Sequence, residues 1–410
     1  MVRVNGPDRR VVALGIARLA DSFGNALLIV ALPLYVASDR IGGRTLGLSV
    51  AVLAGVVLAA FGVFDAVIQP AAGRLSDRLG RRRAFVLAGL VVLCVTDLAF
   101  LATDSYLGLF AARAVQGLGV GCTVTASVAL INEYSTPDTR GMHFGVFNAL
   151  RLVGFGVGPL IAGLLVARGP YDLLGHAISG FALSFDVAAA AATLGLVVVL
   201  ALVRDPVSTS AAAAKDLGFT VTDGAGGLDP VFALGVATLV LALGIAFFAA
   251  IEPAINARLD QSAAAFGAQF AAFVTTFVCT QPIAGRLSDR YGRRRFVVAG
   301  LLVAAPTLLL QGFVTGPWGL GVLRALQGVG AAMAFGPALA LAGDYASGGN
   351  DAATLSVLTM AFGLGAGIGP VVAGPLPAYG FAAPFVVTAV LSALAALVVL
   401  TQVPDDGAAG

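Results

Sequence analysis

The chain has 410 residues, of which 59% are hydrophobic and only 11% are charged. Soluble globular proteins carry about 25% charged residues, so this composition excludes an ordinary soluble domain. The net charge of +2 is uninformative about binding partners, because the charges are segregated along the chain. We expect no nucleic-acid partner. Apolar runs of about 18 or more residues recur, and each is long enough to cross a hydrocarbon core of about 30 Å.

Twelve apolar segments follow one another with short breaks, and each is predicted to be a transmembrane helix. They cover residues 11–37, 46–71, 84–103, 106–132, 141–167, 176–203, 230–257, 262–285, 296–315, 317–343, 353–378 and 380–403. The first segment contains Arg18 and Asp21, and it is too long and too polar for the apolar core of a signal peptide. We therefore interpret it as a retained membrane helix.

The one long break, residues 204–229, contains Ser/Ala-rich and Gly-rich stretches and is predicted to be a polar linker. It separates an N-terminal half, residues 1–203, from a C-terminal half, residues 230–410. Lys and Arg residues concentrate in the N-terminal tail, in this linker, and in residues 72–83 and 286–295. The positive-inside rule places these segments, and therefore both chain termini, on the cytoplasmic side.

Three motifs occur twice in the same order. GRLSDR begins at Gly73 and again at Gly285, an offset of 212 residues. RAVQGLG from Arg113 matches RALQGVG from Arg324, an offset of 211 residues, and a glycine-rich segment around a proline also repeats at that offset. Composition alone does not produce three motifs at a nearly constant offset, so the chain is interpreted as a duplication of a six-helix unit. Repeated halves of this kind predict transport by alternating access.

On these motifs the sequence resembles the major facilitator superfamily over essentially its full length. The segment from Gly73 to Arg83 resembles the superfamily's loop signature between helices two and three, and its second copy lies between helices eight and nine. Arg113-Ala-Val-Gln116-Gly117 is similar to the helix-four motif of proton-coupled members. The resemblance implies an all-α membrane fold of two pseudo-symmetric six-helix bundles with both termini cytoplasmic.

A further motif lies in the fifth segment. Gly154-xxx-Gly158-Pro159-xx-Ala162-Gly163 resembles the helix-five motif of drug/proton antiporters, with alanine in place of the first of two closing glycines. This likeness favours export, and the family implies that the motif seals the outward-open state against leakage. Glycine and proline also let a helix bend and approach a neighbour closely, so a packing role is expected in either case.

The resemblance also implies a conformational latch, in which the acid and arginines of the loop pair with an acid at the end of helix four. The candidates in the first half are Gly73, Asp77, Arg78, Arg81 and Glu133, and those in the second half are Gly285, Asp289, Arg290, Arg293 and Asp344. Gly73 and Gly80 of the first loop suit a tight reversal of the chain, because glycine adopts backbone angles that other residues avoid. The alternative is that these charges only orient the loop at the membrane surface.

Charged residues inside a membrane are costly and mark candidate functional positions. Arg18, Asp21, Ser22 and Asn25 recur every three or four residues and so form a polar stripe on one face of the first helix. The stripe is predicted to line a cavity. The alternative is a self-neutralising pair of Arg18 and Asp21, buried at a helix contact.

Arg113 and Gln116 share one face of the fourth helix, and the resemblance implies that Arg113 controls the protonation of a nearby acid. Asp21 is the first candidate for this acid and Asp97 the second, and a purely structural ion pair is the alternative. Glu252, which precedes a proline, is a candidate for carrying a proton or binding a substrate cation, unless it simply reaches water at the outer end of its helix. The remaining intramembrane candidates are Asp65, Arg151 and Asp186.

The leading interpretation is a secondary transporter that exports a hydrophobic or amphiphilic compound by proton antiport. The alternative is a proton symporter or facilitator that imports a small solute such as an organic anion, which the four intramembrane arginines favour. A receptor or assembly factor on a transporter fold is a third reading, which the intact duplicate loops oppose. The sequence shows no nucleotide-binding, nucleophile or metal-binding pattern, so we expect no enzyme and no cofactor, with the proton gradient supplying the coupling ion. We expect a monomer in the cell membrane, in contact with lipid and a small-molecule substrate.

Overall fold

The computed structural model describes residues 7–404, with gaps at 39, 44, 46, 137, 174, 206–220, 223–225 and 346–350. Residues 173 and 351–356 are described by their backbone alone. Within this part of the chain, 11 helices are long and apolar enough to cross a membrane, and Val357–Ala373 is a shorter apolar helix. The expectation of a mostly helical, multi-pass membrane protein is therefore confirmed. The count of twelve spans and the cytoplasmic location of the termini stay predictions.

The chain forms two compact units. The first unit consists of Met1–Arg44 and Ala60–Ala214, and the second of Thr45–Ala59 and Lys215–Gly410. The predicted linker, residues 204–229, lies largely outside the described residues. The elements that begin before the linker are α1 (Arg9–Val36), α2 (Val50–Leu79), α3 (Arg82–Ala99), α4 (Tyr106–Tyr134), α5 (Arg140–Arg168), β1 (Tyr171–Leu173), β2 (His176–Ile178) and α6 (Gly180–Leu202).

The second unit contains the remaining helices and the first residues of α2. These helices are α7 (Pro230–Ala250), α8 (Glu252–Leu259), α9 (Ala263–Tyr291), α10 (Arg293–Gln311), α11 (Pro317–Asp344), α12 (Asp351–Ala373) and α13 (Ala383–Gln402). Two short 3₁₀ turns, Phe100–Ala102 and Leu376–Tyr379, follow α3 and α12.

Polar side chains cap several helices at their first turn. The carboxylate of Asp8 accepts a hydrogen bond from the backbone N–H of Arg10 at 2.8 Å, and Asp229 does the same for Val231 at 2.8 Å. Ser105, Ser179 and Ser262 cap α4, α6 and α9 in the same way. Each cap satisfies an N–H group that has no partner inside its helix, so short-range sequence sets these helix starts.

The two units repeat one packing scheme. In the first unit α1 packs against α5 and α6, and α3 packs against α4 and α6. In the second unit α7 packs against α12 and α13, and α10 packs against α11 and α13. The predicted duplication of sequence is thus accompanied by a duplication of helix contacts.

Two predicted segments differ from the observed elements. The segment 230–257 is divided at Ile251 into α7 and α8, because Pro253 in the first turn of α8 cannot donate a backbone hydrogen bond to α7. The segment 176–203 begins with β2, the second strand of the antiparallel β1–β2 hairpin, and its helix starts only at Gly180, after the cap supplied by Ser179.

Candidate transport site

The polar stripe of α1 forms a local ion pair. Arg18 Nη1 donates to both carboxylate oxygens of Asp21 at 3.0 Å, and Ser22 Oγ donates to Asp21 Oδ1 at 3.0 Å. Asp21 is buried, with 3% of its surface exposed. The two charges lie one helical turn apart on the same face, and their direct pairing follows from this spacing.

A second network joins α1, α3 and α4 around a buried arginine. Arg113 Nη1 donates to Gln116 Oε1 at 2.6 Å, and Arg113 Nη2 donates to Asn25 Oδ1 at 3.0 Å. Gln116 Nε2 in turn donates to Asp97 Oδ1 at 2.6 Å. The Arg113 guanidinium also lies over the ring of Phe61, 4.6 Å from its centroid. The acid that joins the Arg113 network is therefore Asp97, whereas Asp21 is held by Arg18.

Both carboxylates line one void inside the first unit. The space between them is too narrow to hold a water molecule. Asp21 and Asn25 line it from α1, while Asp97 and Gln116 line it from α3 and α4. A proton gained or lost at either carboxylate changes the charge balance of this buried cluster, and unbalanced charge in a low-dielectric environment is costly.

Among the described residues, the three remaining candidates of the first unit form no hydrogen bond to these two networks. The charges of Asp65 and Arg151 nevertheless interact with the pair of Arg18 and Asp21. Asp65 accepts a hydrogen bond from Gln69 Nε2 at 3.0 Å on α2, and Arg151 Nε donates to Asn148 Oδ1 at 3.0 Å on α5. Asp186 is half-buried on α6. The bonds of Asp65 and Arg151 stay within one helix, so they do not tie helices together.

In the second unit, the arginine of the repeated motif has a different environment. Arg324 on α11 is wholly buried, and its Nη1 donates to Gln327 Oε1 at 2.6 Å. Gln311 Nε2 on α10 donates to the same oxygen at 3.0 Å. Three aromatic rings surround the guanidinium, with centroids 3.8 Å (Phe248), 4.5 Å (Phe273) and 5.6 Å (Phe270) from its central carbon.

The positive charge of Arg324 is not compensated by a carboxylate. Within the described part of the chain no acidic side chain pairs with it, and its Nε and Nη2 atoms lack a hydrogen-bond acceptor. A buried cation over an aromatic face gains about 2 kcal/mol or more, whereas removing an ion from water costs several kcal/mol. The aromatic rings therefore offset only part of the cost of burying this charge.

Glu252 is the buried acid of the second unit. Its side chain is wholly buried, Asn256 Nδ2 donates to its Oε1 at 3.4 Å, and its Oε2 has no partner among the described residues. The alternative that Glu252 reaches water is therefore wrong. The break between α7 and α8 at Ile251 points the first turn of α8 into the packed interior. Gln261 links Asn256 to Gln269 through amide hydrogen bonds of 3.0 and 3.1 Å.

The latch candidates are joined by an arginine that sequence reasoning left out. Arg82 pairs with Asp77 at 2.7 Å and with Glu133, whereas Arg78 and Arg81 form no ion pair within the described part of the chain. Arg82 is the first residue of α3, so its side chain reaches the ends of both α2 and α4. The change of motif offset from 212 to 211 residues is the sequence signal for it, since Arg82 and Arg293 are 211 apart.

The symmetric cluster of the second unit contains the expected residues. Arg293, the first residue of α10, pairs with Asp289 at 2.9 Å and with Asp344 at the end of α11. Arg290 instead lies over the ring of Tyr291, 5.4 Å from its centroid.

The two leading glycines of the loops do not form the reversal. Gly73 and Gly285 lie inside α2 and α9, and a Cβ at Gly73 would lie 3.1 Å from Thr125 of α4. The turn itself uses Gly80 and Gly292, whose φ angles are +60° and +99°. The reversal expected at Gly73 and Gly80 is therefore confirmed at Gly80 and wrong at Gly73, because α2 continues to Leu79.

The helix-five motif packs against α1. A Cβ added at Gly154 would lie 3.0 Å from the backbone nitrogen of Phe23, and one at Gly158 would lie 2.8 Å from the backbone oxygen of Phe23. Pro159 and Gly163 are buried in the same helix. The motif thus lets two helix backbones approach closely, beside the polar stripe of α1.

Buried charged networks on membrane helices, arranged in two repeated units, define the chain as a polytopic membrane transporter. The family model of the Major Facilitator Superfamily matches residues 14–230 and 232–409, so the chain belongs to this superfamily. It is 24% identical over 397 residues to the Quinolone resistance protein NorA of Staphylococcus aureus (strain MSSA476), an alignment that covers 92% of each protein.

Two solved structures share this fold. One is a bacterial homolog of the human lysosomal transporter Spinster in an inward-facing, occupied conformation, with a TM-score of 0.77, 15% identity and 95% of each chain covered. The other is the D-xylose-proton symporter, with a TM-score of 0.74, 16% identity, and coverage of 96% of this chain and 98% of that chain. Identities this low show the fold alone. Family and neighbours are transporters and not enzymes, which fits the expectation of no enzymatic activity.

Proposed function

We propose that this transporter works by alternating access and exports a hydrophobic or amphiphilic compound in exchange for protons. The observation that carries this proposal is the pair of buried carboxylates, Asp21 and Asp97, that line one void and are tied to Arg18 and Arg113. The likeness to a quinolone resistance protein over 92% of both chains supports the export direction.

Asp97 is the first choice for the proton carrier. When Asp97 is ionised, its charge balances that of Arg113, to which Gln116 connects it. When Asp97 is protonated, the guanidinium is left with excess positive charge in a poorly solvated environment, which favours a different arrangement of α1, α3 and α4. Proton binding and helix rearrangement are thereby coupled.

Two further elements complete the cycle. Glu252 is a second proton carrier, because its buried Oε2 has no partner among the described residues and a protonated carboxyl tolerates that environment better than a carboxylate. The clusters around Arg82 and Arg293 act as latches that break and re-form as the cycle proceeds. No cofactor is needed besides the proton gradient. Each polar network forms within one chain, so a monomer in the cell membrane suffices.

Proton coupling can be tested in everted membrane vesicles energised by respiration, with an internal pH-sensitive dye as the readout. Addition of a quinolone should dissipate the proton gradient in vesicles that contain the wild-type protein. Asp21→Asn and Asp97→Asn should each abolish this response, whereas Asp104→Asn, at an exposed loop position, should retain it. A gradient that is unaffected by the wild-type protein would contradict proton antiport with that compound.

The direction of transport is tested separately in intact cells. Cells that lack the gene should accumulate more of the compound than cells that carry it. Lower accumulation in the absence of the gene would favour the importer, for which the uncompensated Arg324 is the supporting observation because it suits an anionic solute.

A further inference from the structure

The arginine site of the second unit has an unused binding edge. Arginine carries five N–H donors in a rigid plane, and a carboxylate pairs with two neighbouring nitrogens through parallel hydrogen bonds. In Arg324 the Nη1 atom donates to Gln327, while Nε and Nη2, which form one side of the guanidinium, have no acceptor in the described part of the chain. The atoms left open are thus two adjacent donors with the spacing of a carboxylate.

From this geometry we propose that Arg324 is the receptor for the carboxylate of an aromatic ligand, held in the second unit. The ligand is the transported molecule of the proposed function, on which this assignment rests, and it binds whichever way transport runs. Its negative charge would balance the buried guanidinium, which within the described residues no acidic side chain does.

The aromatic part of the ligand follows from the surroundings of Arg324. Phe248, Phe270 and Phe273 lie within 5.6 Å of the guanidinium, measured to their ring centroids, and Phe248 also stacks on Phe266 at 4.7 Å. Flat apolar side chains of this kind pack well against the rings of a ligand in stacked or edge-on geometry. A carboxylate attached directly to a ring would place its charge on Arg324 and its ring among these side chains.

A fixed orientation of Arg324 supports a binding role. Gln327 Oε1 accepts hydrogen bonds from both Arg324 and Gln311, so two amides on α10 and α11 hold the guanidinium in place. Gln311 Oε1 is also buried, and none of the described residues donates a hydrogen bond to it. It lines, with Phe248 and Thr388, a narrow void inside the second unit. A donor on the ligand can satisfy this oxygen while its carboxylate pairs with Arg324.

The equivalent arginine of the first unit does not offer the same edge. Arg113 Nη2 already donates to Asn25, and Asp97 is connected to it through Gln116. A carboxylate arriving there would meet an existing negative charge. The repeated motif therefore supplies one internally balanced arginine and one that is open to an anion.

The ligand gains access when Phe248 moves. In this conformation Arg324 is wholly buried, and the neighbouring void is too narrow for a water molecule. Phe248 lies three residues before Ile251, where α7 ends and α8 begins. A rearrangement at this helix break displaces the ring that covers the guanidinium.

Binding can be measured on the purified full-length protein in detergent, by equilibrium dialysis and without a proton gradient. The probe is 2-naphthoate, and 2-naphthamide serves as its neutral counterpart of nearly the same shape. The wild-type protein should bind the acid about ten- to a hundred-fold more tightly than the amide, as expected for a charge-assisted hydrogen-bonded pair. Equal affinity for the two probes overturns the proposal whatever the vesicle assay shows, since no coupling is involved.

Two variants of Arg324 and one control locate the site. Arg324→Gln should remove the preference for the acid, and Arg324→Lys should keep part of it, since lysine retains the charge without the planar edge. Arg258→Gln should leave the preference unchanged, because Arg258 is an exposed arginine of the same unit that also lies near a phenylalanine ring. An acid preference that persists in Arg324→Gln overturns the assignment. If that variant does not fold, an undiminished preference in Arg324→Lys has the same meaning.

Discussion

The arginine sites of the two units share one sequence motif but differ in their electrostatics. In the first unit, α3 supplies Asp97 to the motif glutamine, and the charge of Arg113 is balanced within the protein. In the second unit, α10 supplies the neutral Gln311 to the equivalent glutamine, and Arg324 is surrounded by phenylalanine rings. One facing residue, an acid or an amide, thus decides whether a duplicated arginine becomes part of an ion network or an open cation.

The largest effect is expected from replacing each arginine by leucine. Arg113→Leu leaves Asp97 buried without its counter-charge and should lower the free energy of unfolding by about 3–5 kcal/mol. Arg324→Leu leaves no acid unpaired and puts an apolar side chain among three rings, so it should lie within about 1 kcal/mol of the wild type. Unfolding by titration with SDS in mixed micelles measures both. Equal losses in the two variants would show that the two arginines are equally balanced.

We expect close helix packing to contribute similarly to stability in the two units. Gly154 of α5 and Gly365 of α12 are 211 residues apart, and each faces the backbone of the first helix of its own unit. Alanine at either position should lower the free energy of unfolding by about 1–3 kcal/mol, because a methyl group does not fit against a neighbouring backbone. Gly145→Ala and Gly363→Ala, which have open space at Cβ, serve as controls and should be neutral or slightly stabilising. If alanine leaves stability unchanged at one of the two sites, then close helix packing contributes to stability only in the other unit.

The ion pairs of the two latch clusters should contribute different amounts to stability, by a moderate margin, because their exposure to solvent differs. The Arg82 side chain is 5% exposed and that of Glu133 is 14% exposed, whereas the values for Arg293 and Asp344 are 26% and 56%. Glu133→Gln should therefore cost about 1.5 kcal/mol of stability, and Asp344→Asn less than about 1 kcal/mol, since solvent and salt screen exposed pairs. The same SDS titration at low and high salt distinguishes them, and a larger salt dependence at Glu133 would contradict the comparison.

The smallest effect is expected at the helix caps. The Arg10 side chain, through its hydrogen bonds, holds the pKa of the Asp8 carboxyl below its usual range. This contribution to stability is present above the ordinary carboxyl pKa of about 3.9 and is lost as the pH falls through the lower folded value. Asp8→Asn keeps the cap but removes the charge, so it should change stability at neutral pH by less than about 0.5 kcal/mol, since the pair is partly exposed to solvent.

A pH series of thermal unfolding between about 3 and 7 checks this expectation. The variant should show a weaker decline in stability towards acid than the wild type does. Asp229→Asn at the corresponding cap of α7, where the carboxylate accepts two backbone hydrogen bonds, is the matched variant. Identical acid profiles of wild type and Asp8→Asn would mean that the Arg10 pair contributes nothing measurable.

Much of the fold could be predicted because its signals are local. Apolar runs indicated the membrane helices, and the repeated motifs indicated the duplication. The pair of Arg18 and Asp21 was also predictable, since both residues lie on one helix face. By contrast, Asp97 was only the second candidate for the Arg113 partner, because this link runs between two helices through Gln116.

Contacts between helices account for the residues that were missed. Arg82 and Arg81 are neighbours in sequence, but successive residues of a helix differ by about 100° in direction, and only the start of α3 determines which arginine meets Glu133. Phe248 and Phe273 are ordinary residues of apolar helices until α7 and α9 place them on Arg324.

The sequence by itself determined that this chain is a duplicated helical membrane protein of the Major Facilitator Superfamily, with charged residues embedded in its helices. Hydrophobic periodicity and short motifs extend over a few residues, so they can be recognised in the sequence without the tertiary structure. Only the tertiary structure decided which charges meet, which arginine is left without an acid, and that Glu252 is buried. Those outcomes depend on side chains that approach from different helices, and the rotation of each helix about its axis decides which side chain meets a given partner.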